Sequence, residues 1–139
     1  MFLRRFFSKK IKIPAYNVRQ RQTYQPLEKG FMEPKDYSRI STDFMNRIFF
    51  SLKEMLEANP TAKLQWIDKG LKLEDTNFLL EVTKDPKNQE IHLMVGDSVT
   101  HSYSFDKNNE RWISNRDGHL IDELISREIS QKFKGYLNL

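Results

Sequence analysis

Hydrophobic residues along this chain change their period twice. From Ser41 to Asn59 they recur at helical spacing, with Phe44, Ile48, Phe49, Leu52, Met55 and Leu56 forming one wide stripe. Ser41 or Thr42 can cap that helix, and Asn59-Pro60 ends it, because proline disfavours helical geometry in the residue before it. From Lys63 to Asn115 the period is two. Leu64/Trp66, Leu71/Leu73, Phe78/Leu80/Val82, Ile91/Leu93/Val95 and Val99/Tyr103/Phe105 alternate with polar residues, and Trp112-Ile113 suits one more strand. Turn clusters separate these runs: Asp68-Lys69-Gly70, Glu74 to Asn77, Lys84 to Asn88, Gly96-Asp97-Ser98 and Asp106 to Asn109. Beyond Asp117-Gly118, a strong turn pair, the helical period returns in Ile121, Leu124, Ile125, Ile129 and Phe133. Asp122 and Glu123 suit the start of that helix, Lys132 and Lys134 its end, and Gly135 stops it.

Helix, about six short antiparallel strands and helix have a simple packing solution. The pattern predicts an α+β two-layer sandwich, with both helices on one face of the sheet and the other face wet. Trp112, Leu124, Ile125, Phe49 and Leu52 should meet in its core. No βαβ alternation, internal repeat or low-complexity tract is present.

Composition adds an asymmetry to this picture. The 139 residues carry a formal net charge of +4, but residues 1–30 hold eight Lys or Arg against the single acid Glu28, a net of +7. The remaining 109 residues carry 15 basic and 18 acidic side chains, a net of −3. A basic arm is thus joined to a mildly acidic domain. Within the arm, residues 1–14 form an acid-free amphipathic start in which Leu3, Phe7 and Ile11 share a helical face, the pattern of a mitochondrial targeting segment. Residues 15–40 lack either period and are rich in Gln, Tyr, Arg and Pro, which predicts an extended arm preceding a domain at 41–139. Tyr16, Tyr24, Phe31 and Tyr37 are apolar handles for a partner, and Arg19 and Arg21 can pair with phosphates or carboxylates. The arm therefore suits subunits of a large complex, ribosomal RNA included.

Candidate chemistry narrows the function classes. Cysteine is absent, which excludes disulfides, thiolate metal sites and cysteine nucleophiles. Glycines at 30, 70, 96, 118 and 135 are too scattered to cradle a phosphate, and no serine sits in a nucleophile elbow. His119 and Glu123 can share a helix face, where an exposed ion pair is expected rather than a metal site. The expectation is a protein that is not an enzyme, with no cofactor. No apolar run approaches the roughly eighteen residues of a membrane span.

The run from Trp112 through Asp117-Gly118, Ile121, Glu123-Leu124-Ile125 and Glu128-Ile129 resembles the last strand and closing helix of the frataxins, and the element order from Ser41 to Leu139 fits their fold. That resemblance implies a mitochondrial matrix protein that binds iron weakly and assists iron–sulfur cluster assembly. It also implies an acidic ridge on the first helix, for which Asp43, Glu54 and Glu57 are the matching residues; Arg47 and Lys53 interrupt them. Frataxins further carry an exposed strand, Asn-x-Gln-x-Pro followed by Gln-Ile-Trp, that contacts the cluster scaffold and the desulfurase. Here Pro86, Gln89 and Ile91 match, with one residue extra, and His92 stands where the family has tryptophan. Gln89, Ile91 and His92 are accordingly the expected partner contacts of the domain. Two functions follow: an accessory, noncatalytic subunit of a mitochondrial ribosome or respiratory complex, or a divergent frataxin that delivers iron to cluster assembly.

Overall fold

The computed structural model describes residues 31–96, 99–135, 137 and 139. Residues 1–14 and the arm positions Tyr16, Arg19, Arg21 and Tyr24 lie outside them.

The first helix, α1, runs Pro34–Met55 and continues as a single 3-10 turn, Leu56–Ala58. It begins seven residues before the expected start at Ser41. Proline at its first position explains part of the difference, since a ring that fixes φ and lacks an N–H is well placed there. Ser41 explains the rest. Its hydroxyl donates to the Ser38 carbonyl at 3.3 Å, so a small buried polar residue continues the inward face from Phe44 back to Tyr37. Tyr37, assigned to the arm by its sequence context, is a core residue.

Six strands follow: β1 Lys63–Ile67, β2 Gly70–Asp75, β3 Phe78–Asp85, β4 Glu90–Val95, β5 His101–Asp106 and β6 Arg111–Ser114. They form one antiparallel sheet in sequential order, each strand hydrogen-bonded to the next. Gly70 is required at the start of β2, because a Cβ there would lie 2.0 Å from the Val82 carbonyl oxygen. Helix α2, Ile121–Lys132, closes the fold and ends at Phe133, two residues before Gly135.

Both helices cover one face of the sheet, and the core is continuous between them. Ile48, Leu52, Ile121, Ile125 and Ile129 meet Leu71, Leu80, Val82, Ile91, Leu93 and Tyr103. Trp112 receives the edge of Tyr37 at 6.3 Å and a tilted contact from Phe44 at 6.1 Å. Asn59 ties the helix ends together: its amide donates to Met55 O and Lys134 O, and its carbonyl accepts from the Lys134 N–H.

Two hydrophobic residues expected inside are not. Val99 precedes β5 and is exposed, since the chain has not yet entered the sheet there. Trp66 faces the helix side from the edge strand β1 but remains 49% exposed, stacked flat on Phe49 at 4.5 Å. No helix among the described residues is long and apolar enough to cross a membrane.

Candidate functional site

The hairpin joining β3 to β4 carries the chemistry that the rest of the sheet lacks. Val82 and Ile91 point into the core, so by strand alternation Thr83, Asp85, Glu90 and His92 stand on the open face. Asp85 pairs with Glu90 across the turn and Thr83 with His92. His92 Nε2 lies 3.2 Å from Glu90 Oε1 and 3.5 Å from Asp85 Oδ2. One donor atom from each of the three side chains falls within 4.8 Å of the others. The side chains are 21% (Asp85), 12% (Glu90) and 31% (His92) exposed, so the group is partly withdrawn from water.

Neighbours hold each carboxylate in place. Asn88 donates its side-chain amide to Asp85 Oδ2 at 2.9 Å and its backbone N–H to Oδ1. That amide, helped by the backbone N–H and the nearby His92, keeps the Asp85 carboxyl below the usual carboxylate range against the opposing effect of burial. Glu90 Oε2 accepts from Asn115 at 2.9 Å, and the Asn115 carbonyl in turn accepts from the buried Ser104 hydroxyl at 2.7 Å. The backbone is pinned as well. Tyr37 donates its hydroxyl to the Glu90 carbonyl at 2.7 Å, and the Gln89 side chain makes two 2.8 Å bonds to the Met32 backbone.

These facts sort the partner residues expected on this strand. Ile91 is corrected outright: it is fully buried, because alternation sends it to the helix side. Gln89 is spent within the chain, holding Met32 from a left-handed backbone at φ 54°. His92 alone of the three presents a side chain on the open face. Phe31, next to the clipped Met32, is 59% exposed.

The helix acids form no comparable group. Asp43, Glu54 and Glu57 are exposed, and among the described residues only Asp85, Glu90 and His92 bring three such donors together. Arg47 reaches across to Asp122 at 3.4 Å, where Arg111 also approaches at 3.8 Å, so the cation on α1 is matched by an acid on α2. His119 does not pair with Glu123. Its Nδ1 meets Asp117 Oδ1 at 2.5 Å and its Nε2 meets the Tyr103 hydroxyl at 2.6 Å, because the Asp117-Gly118 turn folds the ring over β5. Burial pushes the Tyr103 phenol above its ordinary range, while the His119 backbone N–H holds the Asp117 carboxyl below its own. His101, Glu123, Arg127 and Glu128 border an open groove of about 570 Å³ beside that relay. Tyr103 is fully buried, so the relay ties the turn to the sheet.

Sequence reasoning named His92 but missed Asp85 and Glu90 as its companions. It also missed an aromatic patch of Phe49, Phe50 and Trp66, in which Phe50 is mostly exposed and stands edge-on to Phe49 at 5.7 Å.

Comparison with known proteins agrees with this architecture. Residues 30–135 match the model of the frataxin-like domain. Frataxin from Psychromonas ingrahamii superimposes with a TM-score of 0.62 over 77% of this chain and 97% of its own, at 17% identity, a likeness of fold. A trimeric frataxin from the yeast Saccharomyces cerevisiae, complexed with ferrous iron, aligns at 25% identity with a TM-score of 0.52, over 77% of this chain and 90% of its own. No curated protein sequence matches the chain. Since the matched span takes in the first helix, all six strands and the closing helix, the chain belongs to the frataxin-like family.

Proposed function

We propose that this protein is a noncatalytic, frataxin-like accessory subunit of a large mitochondrial assembly, a ribosome or a respiratory-chain complex, docked partly through its N-terminal arm. One observation carries the reading. Where the family presents a tryptophan to its partners, this chain has His92 between two carboxylates, and the adjacent Gln89 is engaged with Met32. A partly withdrawn imidazole offers far less apolar contact than an indole, a side chain enriched at the hot spots of protein interfaces. The basic, aromatic arm supports a different mode of attachment, with charge and rings supplied from residues 15–31. Affinity purification from mitochondria tests it: the protein should comigrate with ribosomes or a respiratory complex. Recovery with the desulfurase and cluster scaffold instead would overturn it.

A divergent frataxin that assists iron–sulfur cluster assembly is the second reading, favoured by the ferrous complex of the yeast relative. It requires the α1 acids to work as the ridge. Saturable micromolar ferrous binding that disappears when Asp43, Glu54 and Glu57 are neutralised would establish it. The exposed, separated positions of these acids, with Lys53 among them, argue for the opposite result.

A further inference from the structure

We propose that Asp85, Glu90 and His92 form a binding site for one first-row divalent transition-metal ion, of the zinc class, on the open face of the sheet. This site is separate from the α1 acids and stands whichever assembly the protein joins.

Spacing is the first argument. Ligand atoms about 2.0–2.2 Å from a tetrahedral ion lie roughly 3.3–3.6 Å from one another. The imidazole nitrogen is already 3.2 Å from Glu90 Oε1 and 3.5 Å from Asp85 Oδ2, so capture of an ion needs little movement of the side chains.

Charge is the second. Asp85 and Glu90 are direct cross-strand partners on one face, an arrangement in which like charges destabilise a sheet. A dication among them reverses the sign of that interaction. Burial adds to the effect, since partly desolvated carboxylates attract a cation more strongly than exposed ones.

The third is the outer ring of hydrogen bonds. Metal-ligating side chains are oriented by partners that bind their remaining atoms. The Ser104–Asn115 pair does this for Glu90, leaving Oε1 turned toward His92; at Asp85 the Asn88 backbone N–H meets Oδ1, while the Asn88 amide shares Oδ2 with the site. The site also sits on a hairpin fixed from below by Tyr37 and from the side by Met32, which meets the demand for rigid support.

Donor chemistry selects the ion. Calcium takes six to eight oxygens, more than three side chains provide. Magnesium favours oxygen ligands, whereas an imidazole among carboxylates suits zinc, cobalt or ferrous iron. Three protein ligands leave at least one position to water or to a donor from a partner.

Cobalt(II) is the probe, because its visible spectrum reports coordination directly. The full-length protein should bind one equivalent saturably, with ligand-field bands in the visible, and zinc should displace it. Its His92→Gln variant should weaken binding at least tenfold, and Asn115→Ala should weaken it less. A variant carrying Asp43→Asn, Glu54→Gln and Glu57→Gln should bind as the parent does. The His92 side chain lies outside the core and is 31% exposed, so the metal-free variant should still unfold cooperatively with the parent's circular dichroism spectrum, which separates loss of ligation from loss of fold. Absence of saturable binding, unchanged affinity in His92→Gln, or loss confined to the helix-acid variant would each overturn the proposal. Comigration with a large assembly is measured separately, so failure of the metal site and failure of the accessory-subunit reading are distinguishable.

Discussion

Tyr37 offers the sharpest test of how this fold is held together, because its neighbours in sequence look like linker and its side chain lies in the core. It is 3% exposed, stands edge-on to Trp112 and donates to the Glu90 carbonyl. Replacing it with phenylalanine removes only the hydroxyl. The net value of such a bond is about 0.5–1.5 kcal/mol, with more at stake if the carbonyl is left without a donor. Replacing it with alanine deletes a buried ring, at about 3–5 kcal/mol. Against a total stability of about 5–15 kcal/mol, the alanine variant stands near the edge of folding. At about 4 °C per kcal/mol for a domain of this size, melting should fall by about 4 °C for Tyr37→Phe and by about 12–20 °C for Tyr37→Ala. High pH gives an independent readout. Burial pushes the Tyr37 phenol up to about 12, against about 10 in the unfolded chain. The neutral phenol therefore contributes stability that is fully present below pH 10 and is lost as pH rises through 12, on the order of 2 kcal/mol. Tyr103, also pushed up by burial, loses stability at high pH too, so the quantity to read is the difference between parent and Tyr37→Phe. Thermal and urea denaturation followed by circular dichroism measures both effects. An alanine variant within 0.5 kcal/mol of the parent would refute the placement of Tyr37 in the core.

Other perturbations follow from the same geometry. Leu124→Ala, at a buried position of α2, should cost about 2–5 kcal/mol in urea denaturation. Gly70→Ala should cost about 3 kcal/mol, since its Cβ meets a backbone carbonyl in a neighbouring strand that cannot easily give way; a neutral result would contradict the β2–β3 register. Deleting residues 2–30 should leave melting unchanged, whereas deletion through residue 40 removes Tyr37 and the first turns of α1 and should abolish cooperative unfolding. If the arm binds phosphates, release of the full-length protein from its assembly should grow steeply with salt, by nearly one log unit of affinity per neutralised phosphate for each tenfold rise.

The core was legible because its residues obey two simple periods. Alternation from Leu71 to Leu93 and the helical spacing from Ile121 to Ile129 each admit one buried face, and the structure uses those faces. The start of α1 was not legible, since Ser41 breaks the apolar stripe and Pro34 reads as a loop residue until its place in the first turn is known. His92 stood out as a departure from the family strand. Glu90 shares the face of His92 by alternation along one strand, but Asp85 joins them only through the register across the turn Pro86 to Gln89. A slip of one residue there would turn one side of the cluster into the core. The same alternation places Ile91 inside, although it adjoins His92 in sequence.

The proposed accessory-subunit role turns on His92 standing where the family has tryptophan and on the basic arm that precedes the domain. The most direct measurement is sedimentation of detergent-solubilised mitochondria, following the tagged protein in parent, His92→Trp and arm-deleted forms. The account predicts that the parent runs with a ribosome or a respiratory complex, and that deleting residues 8–30 shifts it to lighter fractions. Restoring tryptophan alone should leave it with that assembly. A parent protein found with the desulfurase and cluster scaffold would contradict the account.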